Sequence, residues 1–185
     1  MLLAGCGPDL PDPPEPVPDG SLYELTGSWT DQRGGDARLD VWRGHPTLVS
    51  MIYTSCPVAC PTLIQDTRRL RSDLSEDARE HSRVLLVSLD PDRDGPQELG
   101  AIATAYALEE DAWSLMVGTP DQTRAFGAAL GVEFAKRADG EMDHTTLITL
   151  VDPEGVPVET AQGATRELGS LKARLEGFAA ARTSP

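Results

Sequence analysis

Two thiols four positions apart, Cys56 and Cys60, stand in the segment Tyr53-Thr54-Ser55-Cys56-Pro57-Val58-Ala59-Cys60-Pro61, and each is followed by a proline. A spacing of four in a turn or first helical coil keeps the two Cα atoms within the few ångströms that a disulfide tolerates. The same closeness lets both sulfurs reach one metal ion. Either chemistry runs through the thiolate, which a helix N-terminus favours through its unpaired N–H groups and its dipole. Pro61 disfavours helical angles at Cys60. The regular helix is therefore expected to open at Pro61, with Cys60 at its cap and Cys56 in the turn leading in.

Three histidines are candidates for a further donor. His45 lies in a strand-entry loop and His81 ends an Arg/Glu-rich helix; both read as exposed structural residues. His144, in Met142-Asp143-His144-Thr145, directly precedes a β-branched run, and on its own it reads equally well as ligand or as structural residue. Two thiolates and an imidazole suit Cu(I), which accepts low coordination, whereas structural zinc normally takes four ligands. The remaining cysteine, Cys6, lies outside the folding region, so a Cys₄ or Cys₃His zinc site is excluded. Thiol–disulfide exchange without metal and a plain structural disulfide stay open beside the metal reading. A peroxidase would show a P-x-x-x-T-x-x-C block, but Tyr53 and Thr54 precede Cys56 without that spacing.

The elements that must position these groups follow from periodicity. Thr47 to Tyr53 is almost continuously apolar, as suits a central strand covered on both faces. Leu63, Thr67, Leu70 and Leu74 recur at helical spacing after Pro61. Within that helix Arg68-Arg69-Leu70-Arg71 is a local basic cluster, read as a solvated face. Arg83 to Leu89 is a second buried strand, and Pro96 opens a helix carrying Leu99 and Ile102. Asp90-Pro91 is a turn starter and Asp94 a candidate cap for that helix. Trp113 to Val117 is a third strand, followed by a helix from Thr119-Pro120 through Phe126 and Leu130. Val132 to Ala135 is short and extended; Thr145 to Val151 and Val156 to Thr160 form a hairpin around Asp152-Pro153-Glu154-Gly155. A last helix uses Leu168, Leu171, Leu175 and Phe178. At the start, Tyr23-Glu24-Leu25, Ser28-Trp29-Thr30 and Ala37 to Trp42 read as short strands of an N-terminal hairpin. This order predicts an α/β fold: a thioredoxin-like mixed sheet with helices on both faces and an N-terminal β-hairpin extension.

Composition sets the outer bounds. With 185 residues, 39% hydrophobic and 25% charged, the chain suits one well-buried core. A formal charge of −14 argues against nucleic acid as a partner. No run approaches the ~18–20 apolar residues of a membrane span. Leu3-Ala4-Gly5-Cys6 is similar to a bacterial lipobox whose cysteine becomes lipidated, although almost no basic or apolar region precedes it. Residues 1–6 are then the remnant of a lipoprotein signal. Residues 7–20, interleaving proline with aspartate and glutamate, form a stiff linker spanning roughly 40 Å at ~3.1 Å per residue. The folded domain occupies residues 21–185.

Three blocks together carry a resemblance. Tyr53-Thr54-Ser55-Cys56-Pro57-Val58-Ala59-Cys60-Pro61 resembles the Y-T-x-C-P-x-x-C-P segment of the Sco (SenC) family of cytochrome c oxidase assembly proteins. Ser88-Leu89-Asp90-Pro91-Asp92-Arg93-Asp94 resembles its S-V-D-P-x-R-D block, and Asp143-His144-Thr145 with Leu150 to Gly155 resembles its D-H-[ST]…V-D-P-x-G block. The resemblance covers roughly residues 21–180. It implies copper, as Cu(I) or Cu(II), bound through Cys56, Cys60 and His144, with Cys56 and Cys60 also a redox pair. It further implies an extracytoplasmic domain of a bacterial membrane, anchored through a lipid on Cys6. The implied role is metallochaperone for the Cu(A) centre of oxidase subunit II or another exported copper/cysteine protein. The alternative is a metal-independent thiol–disulfide oxidoreductase acting on exported cysteine pairs. The family usually has aspartate where this chain has Val58, which bears on thiol pKa and Cu(II) affinity.

Overall fold

The computed structural model describes residues 16–138, 141–163 and 168–183. The lipobox residues with Cys6, and most of the acidic linker, lie outside that range. Residues dense in β-branched and aliphatic side chains form the centre. Strand β3 (Thr47–Ile52) is buried at every position, as are β4 (Arg83–Ser88) after its first residue and β8 (Leu147–Val151) throughout. Strands buried on both faces need cover on both sides, and five helices supply it: α1 (Ala59–Ser72), α2 (Glu76–His81), α3 (Pro96–Ala105), α4 (Pro120–Leu130) and α5 (Gly169–Thr183).

With β1 (Trp29–Asp31), β2 (Asp36–Ala37), β5 (Trp113–Val117) and β9 (Pro157–Gln162), the main sheet has seven strands in the order β2-β1-β5-β4-β3-β8-β9. The β5-β4-β3 centre is parallel, joined through α1 and α3, while β8 runs antiparallel to β3 and β9 antiparallel to β8. This is the thioredoxin-like mixed α/β sheet expected from the element order.

The N-terminal extension is smaller than its sequence suggests. Leu22–Glu24 and Leu39–Trp42 are single 3₁₀ turns rather than strands, leaving only β1 and β2 as a short antiparallel pair. Ser21 starts the first turn by accepting the Tyr23 N–H at 3.1 Å, and a capped turn cannot continue a ladder. The pair adds to the main sheet because β1 joins β5 antiparallel. Trp29, 1% exposed, packs edge-on against Phe126 of α4 at 5.7 Å. That approach requires Gly118, where a Cβ would stand 2.6 Å from the Trp29 ring. Helix α4 begins as expected: Thr119 caps it, with Gln122 returning the bond to the Thr119 N–H.

A second, two-stranded sheet pairs β6 (Phe134–Lys136) with β7 (Met142–His144). Sequence periodicity showed only an extended piece before residue 136. The segment then expected to be a loop entering β8 is β7, three residues long and too short to show alternation.

Candidate metal centre

Strand β3 delivers the chain to the site, and a turn at its end presents Cys56, whose N–H donates to the Tyr53 carbonyl at 3.2 Å. Helix α1 opens at Ala59 with Val58 as its N-cap, two residues earlier than the proline argument predicts. Pro61 is then the third helical residue, where no intrahelical N–H bond is lost. What holds Cys60 in helical geometry ahead of a proline is a bond of its own. Its N–H donates to Cys56 Sγ at 3.2 Å. Val58 has no side-chain acceptor to offer the helix end, so the Cys56 sulfur does the work that a capping oxygen usually does.

The two thiols are free, buried and unequal. The Cys60 thiol, donating to Cys56, is the largest influence holding the Cys56 thiol down to about 4 from its ordinary 9.0; burial opposes it, and the Cys60 and Val58 N–H groups assist. The Cys60 thiol moves the opposite way, raised by the neighbouring Cys56 sulfur and by burial. At neutral pH the pair is one thiolate and one thiol.

His144 closes the group from a different part of the chain, as the last residue of β7 paired with Phe134. Its Nδ1 lies 3.2 Å from the Thr145 carbonyl. A carbonyl only accepts, so in the neutral ring Nδ1 carries the proton and Nε2 keeps its lone pair. The imidazole meets the Tyr53 ring edge-on, with centroids 5.7 Å apart and planes at 86°. The donor atoms of Cys56, Cys60 and His144 all lie within 4.8 Å of one another. One metal ion with bonds of roughly 2.0–2.3 Å fits such a set after adjustments of about an ångström.

Several residues support this group that sequence reasoning placed elsewhere. Asp94, 5% exposed, is not the helix cap: Gly95 is, and the Glu98 carboxylate accepts the Gly95 N–H at 3.0 Å. Asp94 instead accepts the Thr54 N–H at 3.1 Å, the Thr54 hydroxyl at 2.5 Å and the Ser88 hydroxyl at 2.6 Å. It therefore ties the turn before Cys56 to the end of β4. Asp90 pairs with Arg93 and with Lys136 of β6 at 3.2 Å, pinning the β6–β7 hairpin that carries His144. The Tyr53 hydroxyl donates to Glu141 at 3.0 Å, and its pKa is raised by burial, by Cys56 and by Glu141. Tyr53 stood inside the quoted motif; Glu141 carried no signal, because only the folded hairpin brings it near.

The other histidines stay away from the thiols. Each is half-buried rather than exposed and held by a backbone carbonyl, His45 Nδ1 to His81 at 2.9 Å and His81 Nδ1 to Asp77 at 2.8 Å.

The SCO1/SenC family model matches residues 20–179. The chain belongs to the SCO1/SenC family. A Stutzerimonas stutzeri protein is 29% identical over 129 residues, which make up 68% of this chain and 62% of that one. The SCO1 protein homolog of Bacillus subtilis is 25% identical over 167 residues, 88% of this chain and 83% of its own. Among solved structures, Bradyrhizobium japonicum ScoI with copper bound superposes with a TM-score of 0.67 at 26% identity, covering 82% of this chain and 96% of its own. A SCO1/SenC family lipoprotein from Bacillus anthracis shares the fold with a TM-score of 0.75 at 20% identity, covering 83% of this chain and 93% of its own.

Proposed function

We propose that this SCO1/SenC chain binds copper through Cys56 Sγ, Cys60 Sγ and His144 Nε2 and carries it to the Cu(A) centre of cytochrome c oxidase subunit II. The observation that carries this reading is the convergence of the three donor atoms within 4.8 Å. Two sulfurs and one imidazole are a soft, low-coordination set, matched to Cu(I). The copper-bound Bradyrhizobium japonicum relative supports the choice of metal. Copper is here cargo: it must be released, and a three-donor set leaves room for an incoming ligand. Cys60 must lose its proton on loading while Cys56 is already ionised, so uptake at neutral pH releases one proton per ion. The proposed setting is extracytoplasmic, with the domain held to a bacterial membrane by a lipid on Cys6; among the described residues no helix is long and apolar enough to cross a membrane.

The unequal thiols favour a second reading on the same residues. The Cys56 thiolate attacks a partner disulfide, forming a mixed disulfide and expelling one partner thiolate. Cys60 then gives its proton to solvent and attacks the Cys56 sulfur. The Cys56–Cys60 disulfide forms, the second partner thiolate leaves, and two electrons have passed to the partner.

Anaerobic Cu(I) titration of the reduced protein, followed by competition with a chromophoric chelator, separates the two. One equivalent bound, with affinity lowered in His144→Ala at unchanged melting temperature, supports the copper reading. Affinity indifferent to His144 removes that residue from the site. Poor copper binding by the unsubstituted protein, together with a Cys60→Ser variant that traps a covalent partner, selects the exchange reading.

A further inference from the structure

At the other end of α1 the chain gathers its positive charge. Counting eleven residues from Cys60 to Arg71 at 1.5 Å each puts roughly 16 Å of helix between this place and the thiols. A cleft of about 540 Å³ opens there, lined by Arg68, Arg69, Arg71 and Arg79, with Glu109 the one carboxylate among the described lining residues. Four of the sixteen lysines and arginines of a chain carrying −14 thus face one opening. The negative end of α1 draws basic residues to its last turn, where Arg69 and Arg71 stand. That accounts for neither Arg68 nor Arg79, which comes from α2.

The floor of the cleft is the sharper observation. Arg71 is 6% exposed, and its guanidinium donates to the Ser82 carbonyl at 2.7 Å, the Ser82 hydroxyl at 3.0 Å and the Arg79 carbonyl at 3.3 Å. None of these partners is charged. Among the described residues, no carboxylate reaches ion-pair distance of Arg68, Arg69, Arg71 or Arg79. Glu109 and Asp111 act on Arg71 only at longer range, and burial pushes its guanidinium down. A buried cation without a counter-charge is costly unless something else neutralises it. Rigid guanidinium forks, several on one cleft, match the paired oxygens of a phosphoryl group.

We propose that the arginine cleft between α1, α2 and the loop before β5 binds a phosphoryl group, presented by a soluble phosphate or by a phospholipid head group. The buried Arg71 is held in place by Ser82 and Arg79. The exposed Arg68, about one turn before it on α1, and its neighbour Arg69 complete the grip. The site is separate from the thiols, so it is loaded or emptied without touching the metal donors.

The test compares the full chain with Arg68→Gln/Arg69→Gln, both substitutions on exposed positions, and with the single variant Arg79→Gln. Inorganic phosphate is titrated calorimetrically at constant ionic strength set with chloride. In parallel, the protein is sedimented with vesicles of phosphatidylcholine containing a minority of phosphatidylglycerol. Saturable phosphate binding, weakened at least tenfold in the double variant with Cu(I) stoichiometry unchanged, supports a soluble ligand. Retention on the vesicles without phosphate binding, lost in the double variant, supports the lipid source. The proposal is overturned if neither probe binds, if wild type and double variant behave alike, or if malonate binds as tightly as phosphate.

Discussion

Removing the Cys60 thiol while keeping its backbone tests the proposed asymmetry of the pair directly. In metal-free, reduced protein the leading influence holding Cys56 at about 4 is the hydrogen bond from the Cys60 thiol. A hydrogen bond to a charged group contributes about 1.5–3 kcal/mol, and 1.36 kcal/mol corresponds to one unit. Cys60→Ala is therefore expected to raise Cys56 by about 1–2 units, because the Cys60 N–H at 3.2 Å stays in place. At pH 5 the ionised fraction falls from about nine-tenths to roughly a quarter, and at pH 8 it does not change. Cys60→Ser, whose hydroxyl still donates, retains most of the depression. Thiolate absorbance against pH and the alkylation rate at both pH values are the measurements. Stability follows the same sign. A folded pKa below the ordinary 9.0 stabilises fully above that value, and the gain disappears as pH falls through about 4. In Cys60→Ala it has already gone by about pH 5–6. An unchanged Cys56 midpoint in Cys60→Ala would refute the reasoning, as would equal shifts in the alanine and serine variants.

Val58→Asp installs the family's usual residue at an N-cap that is 69% exposed and has no side-chain acceptor. The Cys60 N–H already donates to Cys56 Sγ and Pro61 has none to give, so the new carboxylate finds no capping donor and denaturant unfolding is expected to shift by no more than about 0.5 kcal/mol. Its charge beside the thiolate raises the Cys56 midpoint in the same absorbance titration. Asp94→Ala orphans the Thr54 and Ser88 donors that the carboxylate accepts. A loss of roughly 3 kcal/mol is expected, with weakened Cu(I) binding because the turn before Cys56 loosens. Gly118→Ala drives a Cβ to 2.6 Å from the Trp29 ring and is expected to cost about 1–3 kcal/mol by calorimetry, with copper stoichiometry intact.

What the sequence shows and what it hides divide along physical lines. β3, β4 and β8 are legible because strands buried on both faces read as unbroken apolar runs, and α4 because Thr119, Pro120 and Gln122 spell out its start. The start of α1 is displaced by two residues because a long-known preference of the residue before proline is outweighed by one bond, from the Cys60 N–H to Cys56 Sγ, that no propensity encodes. The 3₁₀ turns at Leu22–Glu24 and Leu39–Trp42 alternate like strands over too few residues to be told from them. The thiols announce themselves by type and spacing. His144 needed the family blocks to stand apart from His45 and His81, and Asp94 and Glu141 become legible only when tertiary contacts are formed.

The sulfur that caps α1 is the same sulfur that the proposed copper binding and the proposed thiol exchange both use. Oxidation to a disulfide consumes the Cys56 thiolate and so withdraws the acceptor from the Cys60 N–H. The dithiol is stabilised over the disulfide by whatever that cap is worth. For a two-electron couple, 1.4 kcal/mol corresponds to 30 mV, so a cap of about 1 kcal/mol makes the pair roughly 20 mV more oxidising. The fraying of one helix end and the redox poise of the pair are therefore a single coupled equilibrium, readable as amide exchange at Cys60.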